Sequence, residues 1–209
     1  MPNLRAQLLE IIRDAYPENF EGLDPSKTLG ENVFGGPKPH PNAVLNLFVQ
    51  QKVPSALPMA YYMAARRGSD SLMDIRLPTS ATLSGQTLRS AIHGLIALRE
   101  MELKETYQIV LAMKDASSRV GCGSMGCTFR PPQGPIGVEN VRPYQRTFDR
   151  ITGIAEGGTR ILQVLSASEP GEDAESEICK MCGEKMQAAH AEVRKKAWAA
   201  LPKMFGLKA

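Results

Sequence analysis

The four cysteines of the chain form two close pairs, a spacing that could bind a metal ion. Four residues separate Cys122 from Cys127 in a glycine-rich segment, and two separate Cys179 from Cys182. Two such pairs, joined by a folded segment, are typical of a zinc site with four thiolate ligands. Because helix residues three apart share a face, Cys179 and Cys182 would direct their sulfurs to the same side. The sequence therefore predicts a structural zinc ion that ties the loop around the first pair to the last helix.

Other uses of the cysteines stay open at the level of sequence. Two disulfide bonds would need an oxidising compartment, whereas buried thiols need none, since cysteine is among the most often buried residue types. The N-terminal residues lack the pattern of a secretory signal, which favours a cytoplasmic location, with the nucleus also open. A thiol redox sensor is a further interpretation, although a redox Cys-x-x-Cys pair normally lies in a βαβ unit.

Four other residues have side chains suited to removing a base from ribosomal RNA. Tyr61 and Tyr62 could stack on a nucleobase, Arg66 could protonate the departing base, and Glu100 could activate water or stabilise an oxocarbenium-like state. No motif brings these four together. The simpler interpretation is that Tyr61 packs inward and that Glu100 lies on a solvated helix face. A ribosome-inactivating protein, acting as an N-glycosidase on ribosomal RNA, is the alternative function.

A basic ridge and a single tryptophan are the candidate binding residues. Arg142, Arg146 and Arg150 recur every four residues, which would align them on one helix face as contacts for RNA phosphates or as a solvated surface. Trp198, the only tryptophan, is predicted to anchor the last helix to the core. The net charge of +3 is too small to indicate nucleic-acid binding by itself. The predicted partner is therefore a protein or, for the alternative, the ribosome.

Helical periodicity dominates the elements that must position these residues, and strand-like alternation is nearly absent. We therefore predict an all-α fold, a multi-helix bundle in which a loop rich in glycine and proline is pinned to the long C-terminal helix. A long middle helix is expected to be either continuous and bent or divided in two. The predicted helices cover residues 4–16, 42–53, 55–67, 84–114, 144–166 and 174–201.

Length and composition limit the class of protein. The chain has 209 residues, of which 43% are hydrophobic and 22% charged, as in ordinary globular proteins. The longest apolar run, at 57–65, is about half of the roughly 20 residues that a membrane span needs. We expect a single helical domain over 1–209, with an irregular N-terminal arm after the first helix up to residue 40 and a helical core over 41–207.

Three short motifs carry a resemblance to known proteins. They are Cys-x-x-Cys at 179–182, Trp-x-x-Leu-Pro-x-x-Phe-x-Leu at 198–207, and Val-Pro-x-x-Leu-Pro-x-Ala-Tyr-Tyr at 53–62. Together they resemble the helical C-terminal region of a family from mushroom-forming fungi, many of whose members contain a BTB/POZ domain. The resemblance covers about residues 40–207 and implies a helical region that accompanies a BTB domain. No counterpart of that domain precedes Leu4, so its dimerisation and adaptor roles are not carried over.

These observations favour one function over the others. A zinc-stapled helical interaction module, of the type associated with fungal BTB proteins, accounts for the cysteine pairs and for the resemblance. It requires no catalytic motif, and the sequence shows none. The oligomeric state is not predicted.

Overall fold

The computed structural model describes residues 16–17, 19–20, 39–119, 161–162 and 180–207, with side chains described except at 110–119, 180–183 and 186. This part of the chain is 75% helical and contains no strand. The predicted all-α fold is thereby confirmed. Its elements are α1 (Pro41–Gln51), α2 (Leu57–Ala65), α3 (Ser69–Leu72), α4 (Gly85–Arg119) and α5 (Lys180–Met204), with 3-10 turns at Pro54–Ala56 and Thr79–Ala81.

Helix α1 begins and ends with local signals that the sequence carries. The side chain of His40 accepts a hydrogen bond from the backbone N–H of Asn42, and a proline occupies the first turn, where its missing N–H costs nothing. Lys52 ends the helix in the left-handed conformation, with φ of 54°. Among the large apolar residues of α1, three are buried (Val44, Leu45 and Phe48), whereas two are exposed (Leu47 and Val49).

Helix α2 is buried on every side. All residues from Met59 to Ala65 are buried. A helix that is apolar all round is typical of a protein core, because no face of it gains from contact with water. The 3-10 turn before α2 begins at Pro54, directly after Val53. The predicted helix over 55–67 is therefore present, but it begins as a tighter turn.

The two long helices differ in detail from the sequence prediction. Helix α4 is one continuous element of 35 residues, which decides between the two alternatives for the middle helix. Helix α5 continues through Pro202 to Met204. The helix therefore extends three residues beyond the predicted end at residue 201. Ile161 and Leu162 form a buried turn, although both lie within the predicted helix 144–166. The remainder of that prediction lies outside the described residues.

The chain divides into two compact units. The first comprises Met1–Leu98, Gly157–Thr159 and Trp198–Ala209, and the second comprises Arg99–Glu156 and Arg160–Ala197. In the first unit, α1 packs against α2. The core of the second unit includes Ile109, Leu162 and Val193 among the described residues. The single-domain organisation stays a prediction.

Candidate functional site

The predicted metal ligands fall where side chains are not described. Cys122, Cys127 and Cys179 lie outside the described residues, and Cys182 lies in α5 at a position whose side chain is not described. Among the residues that are described, no three His, Cys, Asp or Glu side chains lie close enough together to hold a metal ion. The zinc site stays a prediction. The basic ridge of Arg142, Arg146 and Arg150 likewise lies outside the described residues.

The tyrosines proposed to stack on a nucleobase are both core residues. Tyr61 is 5% exposed, and its ring stacks on that of Phe205 with a centroid separation of 5.0 Å. Burial raises the pKa of Tyr61, while hydrogen bonds with the side chains of Thr87 and Ser90 act in the opposite direction. Tyr62 is completely buried. In this structure, neither ring offers a face to an RNA base.

Arg66 and Glu100 have ordinary structural surroundings. Arg66 is partly exposed, with its Nη1 atom 3.7 Å from the sulfur of Met63. Its charge also acts on Tyr16. Burial raises the pKa of Tyr16 to about 12, and the positive charge of Arg66 offsets part of that rise. Glu100 is exposed on α4. The placement of Glu100 matches the simpler interpretation, a solvated helix face.

Trp198 contacts an aromatic residue distant in sequence. Its ring meets that of Phe20 edge to face, with centroids 6.3 Å apart and an interplanar angle of 65°. Edge-to-face pairs are favourable because the positive rim of one ring meets the negative face of the other. The indole is only partly buried. Its position agrees with the predicted anchoring role within the first unit.

A preorganised turn after α3 is the most distinctive surface feature of the described chain. The backbone N–H of Leu77 donates to the carbonyl oxygen of Asp74 at 3.2 Å, closing a four-residue turn. The carboxylate of Asp74 accepts from the backbone N–H of Arg76 at 2.9 Å. The guanidinium of Arg76 donates two hydrogen bonds to the same carboxylate, from Nε at 2.9 Å and from Nη2 at 3.0 Å. One aspartate therefore fixes both the backbone and the arginine side chain.

The protonation state of Asp74 reflects these contacts. Hydrogen bonds from the Arg76 side chain, and then from its backbone, lower the pKa of Asp74 to about 2. Hydrogen bonds to the ionised form stabilise it relative to the protonated form. The carboxylate is therefore charged, and able to hold the turn, throughout the neutral and mildly acidic range.

The turn presents two apolar side chains to solvent. Ile75 is 98% exposed, more than any other large hydrophobic residue described, and Met73 is 51% exposed. We call the segment from Met73 to Leu77 the Ile75 turn. The sequence analysis missed it, although an aspartate at the start of a turn is a known signal, since its side chain can bond the backbone two residues on.

Cationic groups lie close to the Ile75 turn. Burial and the charge of Arg67 lower the pKa of His40, while the charge of Asp74 raises it, so Arg67 and Asp74 both lie near this imidazole. At neutral pH the His40 ring is uncharged and Arg67 carries an exposed positive charge. Arg76 is 86% exposed. The charged groups around the apolar pair are therefore of both signs, positive at Arg67 and Arg76 and negative at Asp70 and Asp74.

The second unit contains a buried polar pair that plays a structural role. The Nε atom of Arg194 donates to the carbonyl oxygen of Leu162 at 2.8 Å, and the arginine is 9% exposed. Burial, and next the charge of Arg194, lower the pKa of His190 to about 4. His190 is therefore neutral at pH 7. A neutral, buried imidazole beside Arg194 has a structural role in the core of the second unit.

Comparisons with known proteins give no relatives. No family model matches the chain, and neither a curated protein nor a solved structure shows significant similarity to it. The resemblance to the fungal BTB-associated family therefore stays a prediction. Within the described ranges, no helix combines the length and the apolar character needed to cross a membrane.

Proposed function

We propose that this chain is a zinc-stapled helical interaction module whose Ile75 turn docks into an apolar pocket of a partner protein. The observation that carries the proposal is the 98% exposure of Ile75 on a turn fixed by Asp74 and Arg76. Burying an isoleucine side chain on binding stabilises a complex by about 1.5–3 kcal/mol. An isoleucine held out into solvent therefore supplies a favourable contact once a pocket covers it.

The rigidity of the turn increases what this contact contributes. Ordering a flexible loop on binding costs free energy, which a loop already held in one conformation avoids. The Asp74 carboxylate makes three hydrogen bonds to Arg76, so the segment is ordered before any partner arrives. Anchor residues in preformed surfaces are typical of the few positions that dominate binding energy.

The charges around the turn define the partner more closely. Arg67 and Asp74 both act on His40, Asp70 is exposed in α3, and Arg76 remains largely exposed despite its ion pair. A complementary partner would carry charges of both signs around its apolar pocket, because opposite charges steer association and suppress wrong partners. The partner proposed is therefore a protein with an apolar pocket and a rim of mixed charge.

The zinc ion belongs to the proposal through the four cysteines. Cys122, Cys127, Cys179 and Cys182 would fill all four positions of a tetrahedral site, which gives a structural ion without an open position for water. Such an ion would stabilise the fold, because the site does not exist in the unfolded chain. The support for this step is the cysteine spacing in the sequence.

The docking step is tested by comparing three forms of the chain in affinity capture from cells of its source. Ile75→Asp is the test variant, and Leu47→Asp, at a 42% exposed position on α1, is the matched control. A protein captured by the wild type and by Leu47→Asp is then purified, and its affinity for each form is measured directly. We expect Ile75→Asp to weaken binding at least tenfold. Equal affinity of all three forms would show that Ile75 is not the anchor.

The metal step is tested separately by elemental analysis of protein purified without chelators. We expect one zinc ion per chain, lost in Cys122→Ser and in Cys179→Ser and retained in Ser124→Ala, which changes the same glycine-rich segment. Four reactive thiols without metal, or a mass that indicates disulfide bonds, would contradict the zinc staple.

The alternative function is not favoured by any structural observation, since Tyr61 and Tyr62 are buried. Incubation with ribosomes, aniline treatment and an RNA gel test it directly. We expect unchanged ribosomal RNA at protein concentrations that match the ribosomes. A discrete, dose-dependent fragment would instead establish base removal and overturn the assignment of a non-catalytic module.

A further inference from the structure

The connection between α2 and α3 contains a sequence pattern that the proposed function uses only in part, through the charge of Arg67. Arg66 and Arg67 directly follow α2, and Ser69 comes two residues after Arg67, with Gly68 between them. Two consecutive arginines, followed by one residue and then a serine, form the pattern that basophilic protein kinases recognise through acidic residues in their substrate grooves. The pattern marks the Ser69 hydroxyl as a potential acceptor of a phosphoryl group.

The backbone around Ser69 favours presentation of this hydroxyl. Gly68 has φ of 88° and ψ of 173°, a conformation that glycine adopts readily and that turns the chain out of α2. Ser69 is the first residue of α3 and is partly exposed. Its Oγ atom donates to a carboxylate oxygen of Asp70 at 3.3 Å, in an exposed position. The acceptor atom is therefore at the surface and carries only a long, local hydrogen bond.

A kinase binds its substrate as an extended segment, so α3 must open, together with the backbone hydrogen bonds from Arg66 to the Tyr62 carbonyl at 2.8 Å and from Gly68 to the Ala65 carbonyl at 2.9 Å. Helix α3 has only four residues, and a single helical turn has little stability of its own. Its backbone bonds are those from Leu72 to the Gly68 carbonyl, at 3.3 Å, and from Met73 to the Ser69 carbonyl, at 3.0 Å. A side-chain bond of 3.3 Å from Asn42 to the Ser71 carbonyl, and the buried side chain of Leu72, hold the far end.

The two arginines are also within reach of a kinase. Arg67 is exposed, and Arg66 is partly exposed. The Arg66 guanidinium makes a weak contact with the sulfur of Met63 at 3.7 Å. Exchanging it for a carboxylate of the kinase would favour the complex, because charge-assisted hydrogen bonds are about twice as strong as neutral ones.

We propose that Ser69 is a phosphorylation site for a basophilic serine/threonine kinase that uses a nucleoside triphosphate as donor. The Ser69 Oγ atom forms a bond to the γ-phosphorus of the donor, while the bond from that phosphorus to the β-phosphate oxygen breaks. The nucleoside diphosphate leaves with the electron pair, and the hydroxyl proton passes to the catalytic aspartate of the kinase. The product carries a charge of about −2 at pH 7, two and three residues from Arg67 and Arg66.

The test uses the full-length folded chain, the catalytic subunit of a kinase specific for the Arg-Arg-x-Ser pattern, and magnesium ATP. Intact mass and fragment spectra report the number and position of the phosphates. We expect one phosphate on Ser69 of the wild type and no phosphate on Ser69→Ala. In Arg67→Ala, kcat/KM for phosphorylation should fall at least tenfold. Ser71→Ala is the matched control, since Ser71 lies in the same short helix without arginines at that spacing, and it should be phosphorylated like the wild type.

Two results would overturn the proposal. One is the absence of phosphate on the folded chain, under conditions in which the kinase fully modifies a standard Arg-Arg-x-Ser peptide. The other is phosphorylation that persists at the same rate in Ser69→Ala. Circular dichroism of each variant establishes that it is folded before its rate is compared. The Arg67 side chain is exposed, so its removal leaves the core intact.

Discussion

The ring of Phe205 is stacked on that of Tyr61, with centroids 5.0 Å apart and planes 22° from parallel. Both rings are buried, at 1% and 5% exposure. Gly94 of α4 lies against the same phenylalanine, so closely that a Cβ atom at this glycine would overlap the ring. The end of the chain is therefore held in the core of the first unit by an aromatic contact that requires a glycine beside it.

The first prediction concerns Gly94. We expect Gly94→Ala to lower the free energy of unfolding by about 1–3 kcal/mol, because the new methyl group must displace a buried ring. Gly85→Ala is the matched control, since nothing lies within 4 Å of a Cβ atom there. Its effect should be neutral or mildly stabilising. Urea denaturation of both variants and the wild type measures the difference.

A double variant examines the cause of that loss. In Phe205→Ala the ring is absent, so a subsequent Gly94→Ala should cost less than it does in the wild type. Equal costs in the two backgrounds would show that Gly94 matters for a reason other than the Phe205 ring.

The second prediction concerns His190 and pH. The pKa of His190 is lowered from 6.5 to about 4 in the folded chain, so between these values the unfolded chain binds more protons. Stability from this group is therefore present above pH 6.5 and is lost as the pH falls towards 4, by up to about 3 kcal/mol. Denaturation midpoints measured across this range should fall with pH.

His190→Leu removes the titrating group and should flatten the pH dependence between pH 6.5 and 4. His93→Gln, which changes an exposed imidazole on α4, serves as the control and should keep the slope of the wild type. A slope that survives in His190→Leu would assign the acid sensitivity to other groups.

The third prediction compares two ion pairs of the second unit. Lys196 pairs with Glu105 at 3.2 Å, and the side chain of this glutamate is only 14% exposed. Lys195 pairs with Glu192 at 2.9 Å, but both side chains are more than half exposed. Partial burial reduces screening by water, so we expect a coupling energy of about 0.5–1 kcal/mol for the first pair and a smaller one for the second.

Double-mutant cycles with alanine at both positions of each pair measure these energies at low and at high salt. The coupling of Glu105 with Lys196 should be the larger and should persist better at high salt. The reverse order would mean that the shorter distance of the exposed pair outweighs the burial of Glu105.

The fourth prediction concerns the order of the Ile75 turn. Asp74→Ala removes the acceptor that fixes the backbone N–H of Arg76, so hydrogen exchange at Arg76 and Leu77 should accelerate. Asp70→Ala is the control, because the Asp70 carboxylate accepts a long bond of 3.3 Å from Ser69 and none from the Ile75 turn. Unchanged exchange in Asp74→Ala would show that the backbone bond from Leu77 alone holds the turn.

Acid should have the same effect as removal of the side chain. Since the pKa of Asp74 is lowered from 3.8 to about 2, its contribution to stability is fully present above pH 3.8 and is lost as the pH falls through 2. The nuclear magnetic resonance shift of the Arg76 amide, followed from pH 5 to pH 2, reports the change.

Local patterns in the sequence were sufficient to predict most helices of the described chain. Val44 and Phe48 lie four residues apart, as on one face of a helix, and α1 (Pro41–Gln51) lies within two residues of the predicted 42–53 at each end. The predicted last helix stops at residue 201, just before Pro202. Helix α5 instead continues to Met204, since packing of the buried Leu201 and Phe205 favours continuation where the local rule favours a stop.

The Ile75 turn could have been found in part from the sequence. Asp74 followed two residues later by Arg76 carries the chemistry of the turn, because an aspartate side chain can accept from that backbone N–H. The exposure of Ile75 could not be found this way. Ile75 lies two residues from both Met73 and Leu77, and three apolar residues so close together would be expected in a core. Only the path of the folded chain exposes Ile75 to solvent.

The sequence by itself determined the all-α class, the approximate positions of the four longer described helices and the spacing of the cysteines, because propensity, capping and spacing act over a few residues. Only the tertiary structure decided that Tyr61 and Tyr62 are core residues, that Gly94 must accommodate Phe205 and that Ile75 is exposed. Burial depends on residues far apart in the chain that meet on folding, and no local pattern records which side of an aromatic ring another helix will cover.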